Sequence, residues 1–213
     1  MVEHRSNLFT PKNSTTPFPA VVLVIDAQND FLAPSAPYPC VNADLVVANI
    51  AQAVKTARDA NIPVIFTREA HSISGADYGM EFVEGAPSHC VEGTPGFEIV
   101  PELKPLAGEF VIDKRRYNAF LGTHLDLVLN LFGRPTLFIT GLTTNVCVHY
   151  TAAEAFQRDY QVHVIRECVS ATSDEKHKMG LRMLDFISTR IVINLENFYS
   201  SIRAHIGIFE KDE

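Results

Sequence analysis

The 213-residue chain has no apolar run approaching the roughly 18 residues that a membrane-spanning helix requires. Its first residues, MVEHRSNLFTPKNSTTPF, are polar where a secretory leader would carry its apolar stretch. A cytoplasmic protein without a membrane partner is therefore expected. Basic charge is also scarce: 18 Lys and Arg stand against 25 Asp and Glu, for a formal charge of −7. No basic cluster is longer than Lys114-Arg115-Arg116, which argues against nucleic acid or an anionic lipid surface as partner. Cysteine is sparse as well. Cys40, Cys90, Cys147 and Cys168 are too few for a disulfide framework at this length, and none forms a C-x-x-C pair, so all four read as thiols.

What remains is a chain that is 46% hydrophobic, large enough to bury a core and of the size of one α/β domain. Residues 1–18, rich in Ser, Thr, Asn and Pro and without periodicity, read as an arm lying over the surface or over a partner subunit. Residues 19–213 read as a single domain. AVVLVIDA (20–27) is a short continuous apolar run full of β-branched residues, as expected of a strand buried on both faces. From Asn42, apolar residues recur at helical spacing until Asn61-Ile62-Pro63 stops the helix. The alternation continues with strands at 63–68, 109–114, 136–141, 161–168 and 190–196 and helices at 123–133, 146–158 and 174–188. Six strands alternating with helices predict a three-layer αβα sandwich around a mainly parallel six-stranded sheet of Rossmann-like type. The stretch 71–100 exceeds an ordinary connection, and its Tyr78, Phe82, Cys90 and Phe97 favour an ordered loop covering a site.

In open parallel sheets, ligands bind beyond the carboxyl ends of the strands. Three such ends carry chemistry: Asp26, Asp113-Lys114, and the turn after Gly141 that leads through Leu-Thr-Thr-Asn-Val to Cys147 at a helix start. A thiol there faces the positive end of the helix dipole, and a nearby ammonium would lower its pKa further, generating a thiolate nucleophile. The N–H groups of Thr144 and Cys147 point out of the same turn and could hold a developing oxyanion. A buried structural thiol, a capping Asp26 and a solvated Lys114 are the plainer alternatives for the three residues taken singly.

DAQNDF (26–31), DKRRYNAF (113–120) and TGLTTNVCV (140–148) together resemble the isochorismatase-like cysteine hydrolase superfamily. That group includes nicotinamidases, ureidoacrylate and biuret amidohydrolases and N-carbamoylsarcosine amidohydrolase. The resemblance spans about residues 19–200. It implies a catalytic triad of Asp26, Lys114 and Cys147, a non-proline cis peptide at Thr143-Thr144 that aims the Thr144 N–H into an oxyanion hole, and a small-molecule amide or ureido substrate. Phe31, Tyr117 and Asn145 are candidates for lining the substrate pocket, and each could equally be core packing. Homo-oligomers, dimers or tetramers, are common in proteins of this fold.

The branch within the superfamily stays open. HCVEGTPG (89–96) and TREAH (67–71) resemble nicotinamidase segments that carry metal-binding His residues, which makes His71 and His89 candidate ligands. Glu69 stands where that pattern has Asp, and no further His follows His71, so the expectation is that the protein works without a metal cofactor. KRRYNAF, the GTHLDLVL helix and TTNVC look more like the ureidoacrylate and biuret branch. Members that cleave the vinyl ether of isochorismate need no thiol, so Cys147 favours amide chemistry. Two other classes remain: a binding protein that keeps the fold with a dead site, and a redox sensor pairing Cys147 with Cys168.

Overall fold

The structure is a computed structural model that describes residues 19–209; the expected N-terminal arm lies outside them. Six strands form one sheet: β1 (Ala20–Ile25), β2 (Val64–Glu69), β3 (Phe110–Lys114), β4 (Thr136–Leu142), β5 (Val162–Ser170) and β6 (Val192–Ile193). Their order is β3-β2-β1-β4-β5-β6, and every pairing is parallel. Each crossover therefore needs a connection long enough to pass over a face, and helices supply most of them. These are α1 (Asn29–Leu32), α2 (Ala43–Asp59), α3 (Met80–Val83), α4 (Leu125–Leu131), α5 (Cys147–Gln157), α6 (Asp174–Ile187) and α7 (Leu195–Phe209).

The two-residue period of a strand sorts the core into two layers. Val22 and Val24 of β1 point with Phe66 and Phe138 toward Ile50 and Val54 of α2 and Phe198 of α7. Val21, Leu23 and Ile25 point the other way, with Ile65 and Ile139, toward Leu125 and Leu129 of α4, Val148 and Ala152 of α5 and Leu184 of α6. Both faces of β1 and β4 are thereby buried, which is why these strands read as continuous apolar runs.

The chain reverses its direction of winding between β1 and β4, and a crevice opens beyond the carboxyl ends of strands at such a switch point. Gly141 allows the two strands to close there. Its φ is +105°, and a Cβ would lie 1.9 Å from the Ile25 carbonyl oxygen, so no other residue fits without moving β1.

One element differs from expectation. The strand predicted over 190–196 shrinks to Val192–Ile193, paired with Val164 and Ile165, and Leu195 already belongs to α7. Asn194 caps that helix through its side-chain oxygen, which accepts from the Asn197 N–H at 2.7 Å. Phe198 and Ile202, one helical turn apart, then bury against the sheet. The β-branched run RIVIN carries the strand expectation, and the cap at Asn194 ends the strand three residues early. The covering segment 71–100 is ordered as predicted. It contains α3 and a 3-10 turn (Pro95–Phe97), and it is tied down by bridges between His71 and Val91 and between Gln28 and Ile99.

Candidate active site

The crevice between β1 and β4 gathers the residues that the strand ends predict. Asp26 leaves β1 with φ +48°, a left-handed conformation costing a residue with a Cβ about 1–2 kcal/mol. Thr67 of β2 holds it there: its hydroxyl donates to Asp26 Oδ1 at 2.7 Å and its carbonyl accepts the Asp26 N–H at 3.2 Å. Lys114, the last residue of β3, is fully buried, with Nζ 2.7 Å from Asp26 Oδ2 and 3.1 Å from the Arg116 carbonyl. Cys147 opens α5 and is 3% exposed, its Sγ 3.4 Å from Lys114 Nζ.

A further acid shares this space. Glu69, at the carboxyl end of β2, points Oε2 at Cys147 Sγ (3.7 Å) and lies 3.9 Å from Lys114 Nζ. Gln28 fixes the strand end that carries it, accepting from the Glu69 N–H and donating to the Glu69 carbonyl, each at 2.8 Å. The pattern PVIFTR predicts a strand that ends at Arg68 and leaves Glu69 outside the site, whereas β2 runs one residue further. Carrying the strand-end argument one residue further would have found it.

Two carboxylates thus face one ammonium. Burial raises the Asp26 pKa; Lys114 pulls it back and Glu69 adds to the rise, and the net shift is upward. Burial also opposes ionisation of Glu69, but Lys114 and the imidazoles of His71 and His89 outweigh it and hold that carboxyl well below the usual range. Cys147 is pushed well above an ordinary thiol, first by burial, with Asp26 and Glu69 opposing the help from Lys114. Against the expectation of a standing thiolate, burial and the two carboxylates favour the thiol form, because Lys114 is shared with Asp26 at 2.7 Å.

The turn before Cys147 brings two further corrections. The non-proline cis peptide lies at Leu142-Thr143, where β4 leaves the sheet, one bond before the expected Thr143-Thr144. The Thr144 N–H donates to the Ser170 carbonyl at 2.7 Å, continuing the β4–β5 pairing past Leu142, and is not free for an oxyanion. Cys147 opens the helix, where N–H groups have no intrahelical acceptor. Its own N–H has no backbone partner among the described residues.

Beyond Cys147 Sγ lies a cavity of about 150 Å³. Phe31, Tyr117 and Asn145 line it as anticipated, together with Tyr38, Glu81 of α3 and Lys176 at the start of α6. This space holds a ligand of roughly benzene size.

At the cavity wall, Glu69, His71 and His89 place one ligand atom each within 4.8 Å of one another, all buried. Nε2 of His71 and Nε2 of His89 lie 3.3 and 3.5 Å from Glu69 Oε1. His89 Nδ1 is 2.8 Å from the Pro87 carbonyl, which only accepts, so Nδ1 carries a proton. In the neutral ring, Nε2 then presents a lone pair to a carboxylate lone pair. A second proton or a cation between them resolves that contact, and a backbone carbonyl holding the far nitrogen is the usual support of a metal-binding His. Burial lowers the affinity of His89 for that proton, but Glu69 and Pro87 together raise its pKa above the ordinary imidazole value. His71 Nδ1 is buried without a hydrogen-bond partner among the described residues. A mixed nitrogen and carboxylate set suits zinc or a similar divalent ion, and Glu69 supplies the third donor that a search for a third imidazole misses. Cys168, fully buried on the α2 and α7 face, belongs to the opposite layer of the core from Cys147 and offers it no resolving partner.

Comparison with known proteins agrees with this architecture. The Isochorismatase domain family matches residues 20–196. Nicotinamidase 3 of Arabidopsis thaliana is 31% identical over 171 residues, covering 78% of this chain and 81% of its own. A ureidoacrylate amidohydrolase of Serratia proteamaculans is 28% identical over 207 residues, covering 86% and 78%. Among solved structures, an isochorismatase family protein from Desulfovibrio vulgaris superposes with a TM-score of 0.77 at 33% identity, covering 84% of this chain and 95% of its own.

Proposed function

Because the chain belongs to the isochorismatase family, we propose that it is a cysteine amidohydrolase that cleaves a linear amide or ureido C–N bond of a small molecule through a thioester on Cys147. Its relatives are amidohydrolases of non-peptide C–N bonds, and the chain is a hydrolase of that class. The observation that carries the cysteine mechanism is the meeting of thiol, ammonium and carboxylate, with Lys114 Nζ 3.4 Å from Cys147 Sγ and 2.7 Å from Asp26, at the floor of a small cavity.

The thiol proton passes to a neighbouring carboxylate as Sγ attacks the carbonyl carbon. Asp26, whose raised pKa matches a proton carrier, is the acceptor in this reading. The Cys147 N–H faces the developing oxyanion, and Lys114 balances the negative charge distributed between sulfur and carboxylate. Asp26 returns the proton to the leaving nitrogen as the C–N bond breaks, releasing ammonia or the substrate's amine and leaving the acyl or carbamoyl group on sulfur as the thioester. It then takes a proton from water, whose oxygen attacks the thioester carbon. The C–S bond breaks, and that proton restores the thiol.

Glu69, His71 and His89 support a second reading within the same family, a nicotinamidase-type amidase. A divalent ion held by these three residues would supply Lewis acidity and an anchoring point for a substrate donor atom. We further propose a cytoplasmic homo-oligomer. No helix among the described residues is long and apolar enough to cross a membrane, and Met179, Met183 and Phe186 leave an apolar stripe along α6, with Phe186 93% exposed.

The test is ammonia release from ureidoacrylate, biuret, N-carbamoylsarcosine, maleamate and nicotinamide, comparing the native protein with Cys147→Ala. Turnover of one of these by the native protein, lost by a factor of at least about 10³ in the variant, is the expected result. Activity that survives in Cys147→Ala overturns the mechanism.

A further inference from the structure

The turn from Thr143 to Val146, which delivers Cys147, is gripped from outside the crevice by α6. Thr144 is fully buried, and its Oγ1 lies 2.9 Å from Nδ1 of His177. One turn along the same helix, Gly180 presses directly on the turn's backbone: a Cβ there would lie 2.8 Å from Asn145 Cα, Asn145 N and Thr144 C. A glycine in a helix interior weakens the helix, and this contact is the reason one is tolerated. On the opposite side, the Ser170 carbonyl accepts the Thr144 N–H at 2.7 Å. The turn is thus held between β5 and α6, with a specific hydrogen bond and a close backbone contact on the helix side.

We infer that His177 and Gly180 form a clamp that fixes the turn before Cys147, which makes His177 a positioning residue for the nucleophile. The inference rests on the reading of Cys147 as the nucleophile. His177 touches neither the thiol nor the cavity; it acts through Thr144. If the turn relaxed by even an ångström, Sγ and the Cys147 N–H would shift together relative to Lys114 and Asp26, and displacements of that size cost rate rather than binding. The hydrogen bond also has a direction that depends on pH. The neutral ring with its proton on Nε2 accepts from the Thr144 hydroxyl, whereas the imidazolium must donate to it. Burial lowers the His177 pKa below the ordinary imidazole value; Asp174 on α6 opposes this, and Arg166 of β5 and Lys178 of α6 reinforce it. In the tautomer protonated on Nε2 the ring accepts at neutral pH, and acidification reverses the bond.

The experiment compares the native protein, His177→Ala, His177→Asn and Gly180→Ala, with circular dichroism to give the folded fraction. Asn places a hydrogen-bonding atom near the position of Nδ1 but does not titrate. Two readouts are taken: kcat and KM on whichever amide the native protein turns over, and the rate at which iodoacetamide alkylates Cys147, followed by mass spectrometry of its peptide. Alkylation needs no turnover, so it reads the clamp even if the amidase assignment fails. Expected are a loss of about tenfold or more in kcat for His177→Ala and Gly180→Ala with KM within about twofold. Cys147 alkylation should slow in parallel, with recovery in His177→Asn. The acid limb of kcat in the native protein should differ from that of His177→Asn below the ordinary imidazole pKa, since Asp26, Glu69 and His89 titrate in both. Native kcat and alkylation rate in both His177→Ala and Gly180→Ala overturn the clamp. So do losses that follow the folded fraction alone. If His177→Ala does not fold, Gly180→Ala decides by the same criteria.

Discussion

Two carboxylates, one ammonium and one thiol share the space around Cys147, and their charges set how the site works. With Lys114 tied to Asp26 at 2.7 Å and Glu69 only 3.7 Å from the sulfur, a standing thiolate would face more negative charge than positive. Proton transfer concerted with attack avoids that state. The same accounting makes Glu69 dependent on its imidazole neighbours, because removing either leaves a buried carboxylate short of a partner. A divalent ion on Glu69, His71 and His89 would relieve this charge and tie the folded state to metal concentration. Zinc or manganese at 100 times its Kd should raise the stability of the native protein by about 2.7 kcal/mol, read as a concentration-dependent thermal midpoint. His89→Ala should lose that shift. Equal shifts in both proteins would remove this cluster as the site, and metal analysis of the purified native protein gives the complementary reading.

At the scale of elements, the motif that ends β3 serves two purposes. Lys114 turns into the crevice while the next residue, Arg115, turns outward and fastens the covering segment. Its guanidinium donates to the Ala70 carbonyl at 2.6 Å and to Glu92 at 2.7 Å, and its Nε lies 3.2 Å from Asp77. Both shoulders of the 71–100 stretch, which carries Glu81 and His89 to the cavity, are thereby tied to the strand that bears Lys114. Such half-exposed pairs contribute only about 0–1 kcal/mol each to global stability, so their effect should be local. Arg115→Ala should be cut faster by limited proteolysis between residues 72 and 94 and show a several-fold higher KM, with the thermal midpoint within about 2 °C of native. Unchanged proteolysis would show that the segment holds without the latch. The strand-end rule located Asp26, Lys114 and Cys147 because each directly closes a strand or opens a helix. It missed Glu69 because TRE reads as a polar exit from the strand, although Gln28, 41 residues away, keeps β2 paired one residue further.

At the scale of the whole molecule, α6 has one side toward the core and the active-site turn and another that bears Met179, Met183 and Phe186 in the open. Met179, Met183 and Phe186 stand at i, i+4 and i+7 on this side, and a second copy would bury them. Light scattering should give a mass of at least twice 23.6 kDa for the native protein, and Phe186→Glu should shift it toward the monomer. A native monomer at micromolar concentration would rule out the assembly. Because the same helix grips the turn at Thr144, the variant's kcat also reports whether assembly stiffens the clamp.

Taken alone, the sequence determined the layer architecture and the three groups at the strand ends. Buried parallel strands must be apolar on both faces, so AVVLVI and TLFITGL announce themselves, and a charged residue closing such a run stands out against them. Tertiary structure decided what depends on distance. The charges around Cys147, the approach of His89 to Glu69, the engaged Thr144 N–H and the reach of His177 to Thr144 all arise between residues far apart in the chain. None leaves a periodic trace, because each is set by how strands β2, β4 and β5 and helix α6 pack together. The end of β6 was lost for a local reason, a side-chain cap at Asn194 that starts the following helix in place of three further residues of edge strand. A linear pattern records which face a residue prefers; the partners it meets there are fixed only when the layers close.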